Sequence, residues 1–246
     1  MIAGKSHDYA KSLDCVKGLE ALYDVLNVHA HALIEGWPTW RRSYPEDPKL
    51  IEYLGHMDGI IRWRNEHAKG KPVWLTEFGY DSSTKEPPKT GDFAKWVGVT
   101  DERQAQWILR SIFLFTAMDL ERAYIYFFDD KDEPSFHAAS GITRNGQPKP
   151  SFHALAHLYA TLGDYRFARV REKRDGELYA YEYKSGAKTV VVAWSPTGSG
   201  RTTSYAPGGK ILKAELMPLQ PGPATAVEPN DGAVPVGESP TYIWIE

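Results

Sequence analysis

The spacing of apolar positions changes once along this chain, near Asp164. Up to that point, short apolar runs alternate with stretches of helical period. Beyond it only short runs recur, separated by glycines and prolines. In the first part, residues 1–7, 24–29, 71–75 and 122–128 read as strands. Leu13, Val16, Leu19 and Leu22 fall on a helical period between the first two. Leu50, Ile51, Leu54, Met57, Ile60 and Ile61 do so within a predicted helix over 48–69. Thr100-Asp101-Glu102 marks a third helix start, a hydroxyl cap followed by acids that suit the positive end of the helix dipole. Trp107, Ile108, Ile112, Phe115 and Met118 form its expected stripe, and a fourth helix is predicted over 151–162. Four alternations of strand and helix predict an α/β region with a parallel sheet and helices outside it.

After Asp164 the predicted strands are 178–183, 189–194, 211–216 and 242–245, with the Pro/Gly-rich segment 218–236 as loops. That pattern predicts a small all-β sandwich. The expected division is therefore 1–164 as an α/β domain and 165–246 as a β domain.

Composition narrows the function classes. A chain of 246 residues, 42% of them hydrophobic, can bury a substantial core. A net charge of −3 on a mixed surface offers no footprint for nucleic acid. A single cysteine, Cys15, leaves no internal disulfide framework and no cysteine-rich zinc site. No apolar stretch approaches the ~20 residues of a membrane span, so no membrane partner is expected. Gly4-Lys5-Ser6 lacks the leading glycine of a phosphate loop and is set aside.

Candidate chemistry concentrates at predicted strand ends. The run ending Leu75-Thr76-Glu77-Phe78-Gly79-Tyr80 delivers one carboxylate and then breaks at glycine. A buried parallel strand normally reads as continuous apolar residues, so a glutamate at its tip calls for a reason. On an unbroken pleat Glu77 shares a face with Val73 and Leu75. His29 and His31 close the preceding strand, and His7 and Asp8 lie at a comparable position. Trp37, Trp40 and Tyr44 come after one strand and Tyr80 after another, where flat aromatic faces suit the apolar faces of sugar rings or else local packing. Asn65-Glu66, by contrast, sits at the end of a polar amphipathic helix and reads as a solvated helix terminus.

The strand 72–79 resembles the seventh strand of the retaining glycoside hydrolases of clan A, which are (β/α)8 barrels. Residues 24–29 are similar to their sixth strand and 124–130 to their eighth. Gly141-Ile142 with residues 147–155 resembles the segment after the eighth strand in β-xylosidase, α-L-iduronidase and cellulase-like members, and residues 236–243 resemble the end of their closing β domain. The resemblance implies the C-terminal half, about strands 5–8, of a TIM barrel followed by a small all-β sandwich domain. It implies Glu77 as nucleophile, supported by His29. Two carboxyl groups ~5–5.5 Å apart do the work in such enzymes. The family's acid/base, a glutamate after an asparagine on the fourth strand, has no counterpart here. His31, Trp37, Trp40, Tyr80, Phe128 and Asp129 are the implied substrate contacts. Phe127-Phe128 stands where the family usually has a tryptophan.

The expected partner is carbohydrate, with no cofactor and no metal. The sequence does not give the compartment, although an extracellular or periplasmic one would suit a full-length parent; a missing N-terminal half-barrel or self-association through open sheet edges is expected. Two further readings stay open. One is a non-catalytic carbohydrate-binding or structural remnant. The other is a metal-dependent site of amidohydrolase type built from His29-Ala30-His31, His7, Glu77 and Asp129.

Overall fold

The computed structural model describes residues 6–51, 53–196 and 200–246, and is a mixed α/β structure with many short strands and four α-helices. The chain forms two compact units, one from the residues up to Thr100 together with Leu114–Gly141, the other from Asp101–Phe113 and Ile142–Glu246. Among the described residues no helix is long and apolar enough to cross a membrane.

In the first unit, α1 (Ser6–Asp14), a 3-10 turn (Leu19–Ala21), β1 (Leu26–His29), α2 (Leu54–His67), β2 (Val73–Phe78), β3 (Arg122–Ile125) and the two-residue β4 (Asp129–Asp130) occur in that order. α3 (Asp101–Thr116) lies between β2 and β3 in sequence. β1, β2 and β3 form a parallel sheet in that order, as the alternation of strand and helix predicts. Ser6 and His7, expected in a strand, instead open α1, while residues 1–5 lie outside the described residues.

The helix ends differ from the sequence period for local reasons. α1 stops at Asp14, and Gly18, with φ 73°, starts the 3-10 turn, so Leu13 and Leu19 are buried while Val16 and Leu22 stand exposed. α2 begins at Leu54 rather than at 48. Ahead of it Asp47 accepts the Ser43 hydroxyl and the Lys49 N–H, a side-chain turn that holds the backbone out of the helix, and Ile51 is exposed. α3 keeps Trp107, Ile108 and Phe115 buried, but Gln104 through Ser111 are all buried as well. It is covered nearly all round there, and Met118 lies beyond its end.

β2 carries one more residue than either neighbour. Val28 faces Leu75 and then His29 faces Glu77; Leu75 faces Ala123 and then Ile125 faces Phe78. The extra residue breaks the pleat. Val73, Leu75 and Phe78 are buried, whereas Trp74, Thr76 and Glu77 are only partly so. Glu77 therefore leaves the buried face that strict alternation assigns to it. Phe78 packs edge-on against Phe115 at 5.1 Å, and Phe115 against Tyr53 at 5.8 Å. On the other side of the sheet Arg122 stacks over Trp74 at 5.0 Å and Tyr124 lies 6.0 Å from it, with Arg122 and Tyr124 exposed.

In the second unit, a short ladder β5 (Thr143–Arg144) and β6 (Gln147–Pro148) leads into α4 (Pro150–Leu162), which has proline in its first turn. β7 (Arg166–Arg174), β8 (Leu178–Ser185), β9 (Lys188–Trp194), β10 (Thr203–Tyr205), β11 (Ile211–Leu216), β12 (Thr225–Ala226), β13 (Val234–Val236) and β14 (Thr241–Ile245) complete it. Six of these form a sheet in the order β12-β11-β14-β9-β8-β7, and β10 pairs with β13. Leu178, Ala180, Val191, Ala193, Ala214 and Ile243 pack on Tyr205, Val234 and Val236 of that pair. Phe113 of α3 meets Tyr183, Trp194 and Tyr242 at 5.7 to 6.1 Å, and His157 of α4 meets Tyr242 at 4.9 Å. The segment predicted as loops, 218–236, contains β12 and β13.

Candidate functional site

Glu77 lies at the end of the central strand of the parallel sheet, and Gly79 turns the chain away behind it. A Cβ at residue 79 would lie 2.4 Å from the Tyr126 carbonyl oxygen, and Tyr126 N–H donates to the Phe78 carbonyl at 2.7 Å. Glycine is required at that approach. The bend delivers the Gly79 carbonyl, Tyr80 and Asp81 to the same region as the ends of β1 and β3.

Three imidazoles surround the Glu77 carboxylate. His31 Nε2 lies 3.0 Å from Oε1, His29 Nδ1 3.4 Å from Oε2, and His137 Nδ1 4.0 Å from Oε1. The hydrogen bond from His31 holds the Glu77 carboxyl below its usual range. Partial burial opposes this, and His31, His29 and His137 add to the lowering. Burial pushes the His31 ring down from its ordinary value, and Arg42 beside it does the same against the pull of Glu77. Burial likewise lowers His137, to about 3, aided by His31 and Arg42. The site thus presents an ionised carboxylate beside two imidazoles, His31 and His137, that stay neutral near pH 7.

Behind the imidazoles lies a buried ion pair. Arg42 Nη2 is 2.8 Å from Asp81 Oδ2, both side chains being 2% exposed. Arg42 also donates to the Gly79 carbonyl, to His31 Nδ1 at 2.9 Å and to His137 Nδ1 at 3.1 Å. Ser140 donates to Asp81 at 2.5 Å. Phe136 covers the guanidinium at 5.3 Å and stacks on Trp40 at 4.3 Å. Trp40 and His137 both hold left-handed backbone, φ 50° and 68°. Such conformations in bulky residues persist only where the surroundings impose them, and they gather at functional sites.

The residues expected from sequence divide accordingly. His29, His31 and Glu77 come together, and Trp40 reaches the same cluster through Phe136. Trp37 and Phe128 are largely exposed, at 67% and 65%. Asp129 is half-buried and pairs with Lys131 at 3.3 Å. Tyr80 is fully buried and offers no free face for stacking; Tyr44 is half-buried. Asn65 and Glu66 stand exposed on the last turn of α2. His7 and Asp8 lie in α1, with side chains outside the described residues.

Arg42, Asp81, Phe136 and His137 are the members that the strand-end reading missed. Arg42 and Phe136-His137 lie in irregular loops with no period to mark them. Asp81 is only two residues past Gly79, so the signal nearest to it was the motif itself.

No protein-family model and no curated protein matches the sequence. Solved structures do. A family 39 glycoside hydrolase from the gut symbiont Bacteroides cellulosilyticus WH2 superposes with a TM-score of 0.72 at 19% identity, over 97% of this chain and 47% of that one. A β-porphyranase of glycoside hydrolase family 86 from Bacteroides plebeius gives 0.56 at 11% identity, over 91% and 41%. A family 30 endoxylanase from Clostridium papyrosolvens C71 gives 0.54 at 10% identity, over 100% and 56%. At these identities the likeness is one of fold: the chain has a glycosidase-like fold. It spans about half the length of the structures it matches.

Proposed function

We propose that this chain carries the nucleophile half of a retaining glycosidase site, with Glu77 as the nucleophile. The observation that carries the reading is the ionised Glu77 carboxylate at the tip of the central parallel strand, with His31 donating to it at 3.0 Å. In this chemistry a Glu77 oxygen bonds to the anomeric carbon as the bond to the leaving oxygen breaks. A second carboxyl group protonates that oxygen, and water then releases the sugar from Glu77. Asp81 is sealed against Arg42 and is unsuited to be the second group. The acid is assigned to a complementary set of βα units outside this chain.

Three features support the half-barrel assignment for residues 1–164. The sheet order is parallel, one side of the sheet is uncovered at Trp74, Arg122 and Tyr124, and the matched structures are about twice as long. Parallel sheets are normally covered on both faces. Residues 165–246, with the six-stranded sheet against β10 and β13, take the role of the sandwich. The substrate class is an oligo- or polysaccharide, with Trp40 and the exposed Trp37 and Phe128 as stacking faces. Turnover of aryl glycosides by this chain alone is expected to be negligible. A robust rate abolished by Glu77→Gln overturns the division of the site between two halves. Sugar binding that survives Glu77→Ala and is lost with residues 165–246 favours a binding remnant instead.

A metal site is the second reading, because one ligand atom each from His31, Glu77 and His137 lies within 4.8 Å of the others. Against it, a ring nitrogen of both histidines already faces the Arg42 guanidinium, which repels another cation. Stoichiometric zinc in the purified protein, by elemental analysis, reverses the choice.

A further inference from the structure

A guanidinium has five N–H donors, no acceptor and no accessible deprotonated form. Three hydrogen bonds use the donors of Arg42: Nη1 to the Gly79 carbonyl and to His31 Nδ1, and Nη2 to His137 Nδ1; Nη2 also lies 2.8 Å from Asp81 Oδ2, an ion pair without hydrogen-bond geometry. Its Nε is buried with no hydrogen-bond partner among the described residues. A ring nitrogen can accept from such a group only if it carries a lone pair. Nδ1 of His31 and Nδ1 of His137 are therefore both unprotonated, and each neutral ring bears its proton on Nε2. For His31 that nitrogen faces Glu77 Oε1 at 3.0 Å. The other tautomer would set a nitrogen lone pair against carboxylate lone pairs and an N–H against the guanidinium. Protonation of His31 would set two cations together.

We propose that Arg42, anchored by Asp81, is a positioning residue that fixes His31 as the Nε2–H tautomer and so makes it a permanent hydrogen-bond donor to Glu77. Asp81 suits the anchoring role because Ser140 donates to its Oδ1 and the Arg42 guanidinium lies 2.8 Å from its Oδ2 as a buried ion pair. Phe136 covers the guanidinium, and both charged side chains are buried. The same tautomer puts a proton on the His31 nitrogen that a metal at Glu77 would need. The proposal rests on the reading of Glu77 as nucleophile for its purpose, but not for its test.

The test uses the full chain labelled with 15N and 13C and needs no substrate. Long-range nitrogen–proton correlation spectra at neutral pH distinguish protonated from bare ring nitrogens. The expected result is Nε2–H with bare Nδ1 for both His31 and His137. Arg42→Met with Asp81→Asn removes the pair without stranding a buried charge. In that variant Nδ1 loses its donor while Glu77 still accepts from Nε2–H, so the His31 ring is expected to take up a proton on Nδ1 at a higher pH than in the unaltered chain, and the Glu77 carboxyl titration to move down beside it. An Nδ1–H or mixed His31 in the unaltered chain overturns the proposal. So does a folded double variant that leaves both readouts unchanged. If the double variant does not fold, the spectrum of the unaltered chain decides alone. Because no sugar is present, failure here leaves the nucleophile reading to tests with glycosides, and failure there leaves this one standing.

Discussion

Neighbours hold Glu77 below the ordinary carboxylate range, and those neighbours make the site sensitive to acid. His137 titrates at about 3 and His31 below its ordinary value, whereas in the unfolded chain both rings take up protons near 6.5. Between those limits the unfolded chain binds more protons than the folded one, so stability rises with pH and falls on acidification. Glu77, also lowered, acts in the same direction below the ordinary carboxylate value. The urea midpoint is expected to fall between about pH 7 and about pH 4, and His137→Gln to flatten that slope. An equally steep slope in the variant contradicts the assignment. Gly79→Ala is expected to destabilise by about 1–3 kcal/mol, since the Tyr126 carbonyl occupies the space of the new methyl. A urea denaturation curve checks it. Glu77, His29 and His31 were legible in sequence because each lies at a strand end. Arg42 and His137 were not, because their role comes from long-range contacts between loops.

At the scale of elements, the strands with apolar alternation were readable and the irregular ones were not. β7 reads Arg-Phe-Ala-Arg-Val-Arg-Glu-Lys-Arg, a charged strand at the edge of its sheet, where such residues guard against further pairing. β13 contains Pro235, tolerated because it belongs to a two-stranded ladder. The extra residue in β2 has no signature in composition, yet it decides which way Glu77 faces. β3 is the opposite of β7: an exposed edge with Tyr124 open to solvent, and with Tyr126 and Phe128 open just beyond it. Self-association through that edge is expected to be measurable by light scattering and to weaken in a Tyr124→Lys, Phe128→Lys variant of unchanged circular dichroism. Association that is indifferent to these changes places the contact elsewhere. In β14 the Tyr242 hydroxyl is buried with no hydrogen-bond partner among the described residues, and its burial raises its pKa well above the ordinary value. Tyr242→Phe is expected to leave stability unchanged or raise it by up to about 1 kcal/mol on thermal melting; a loss beyond that points to a missing partner.

At the scale of the whole molecule, a parallel sheet with an uncovered side and a chain about half as long as its structural counterparts lead to the same proposal of a divided site. Strand–helix alternation made the α/β character legible. The arrangement of the β strands was less so, because their pairing joins residues far apart in sequence. A glycoside whose leaving group needs no protonation tests the proposed nucleophile independently of any acid. The most direct measurement is therefore incubation of the chain with dinitrophenyl 2-deoxy-2-fluoro glycosides, with intact mass and peptide mapping as the readout. The expected result is slow addition of one fluorosugar per chain, on Glu77, without turnover and absent from Glu77→Gln. Addition at another residue, or none at saturating reagent, contradicts the assignment of Glu77 as the nucleophile.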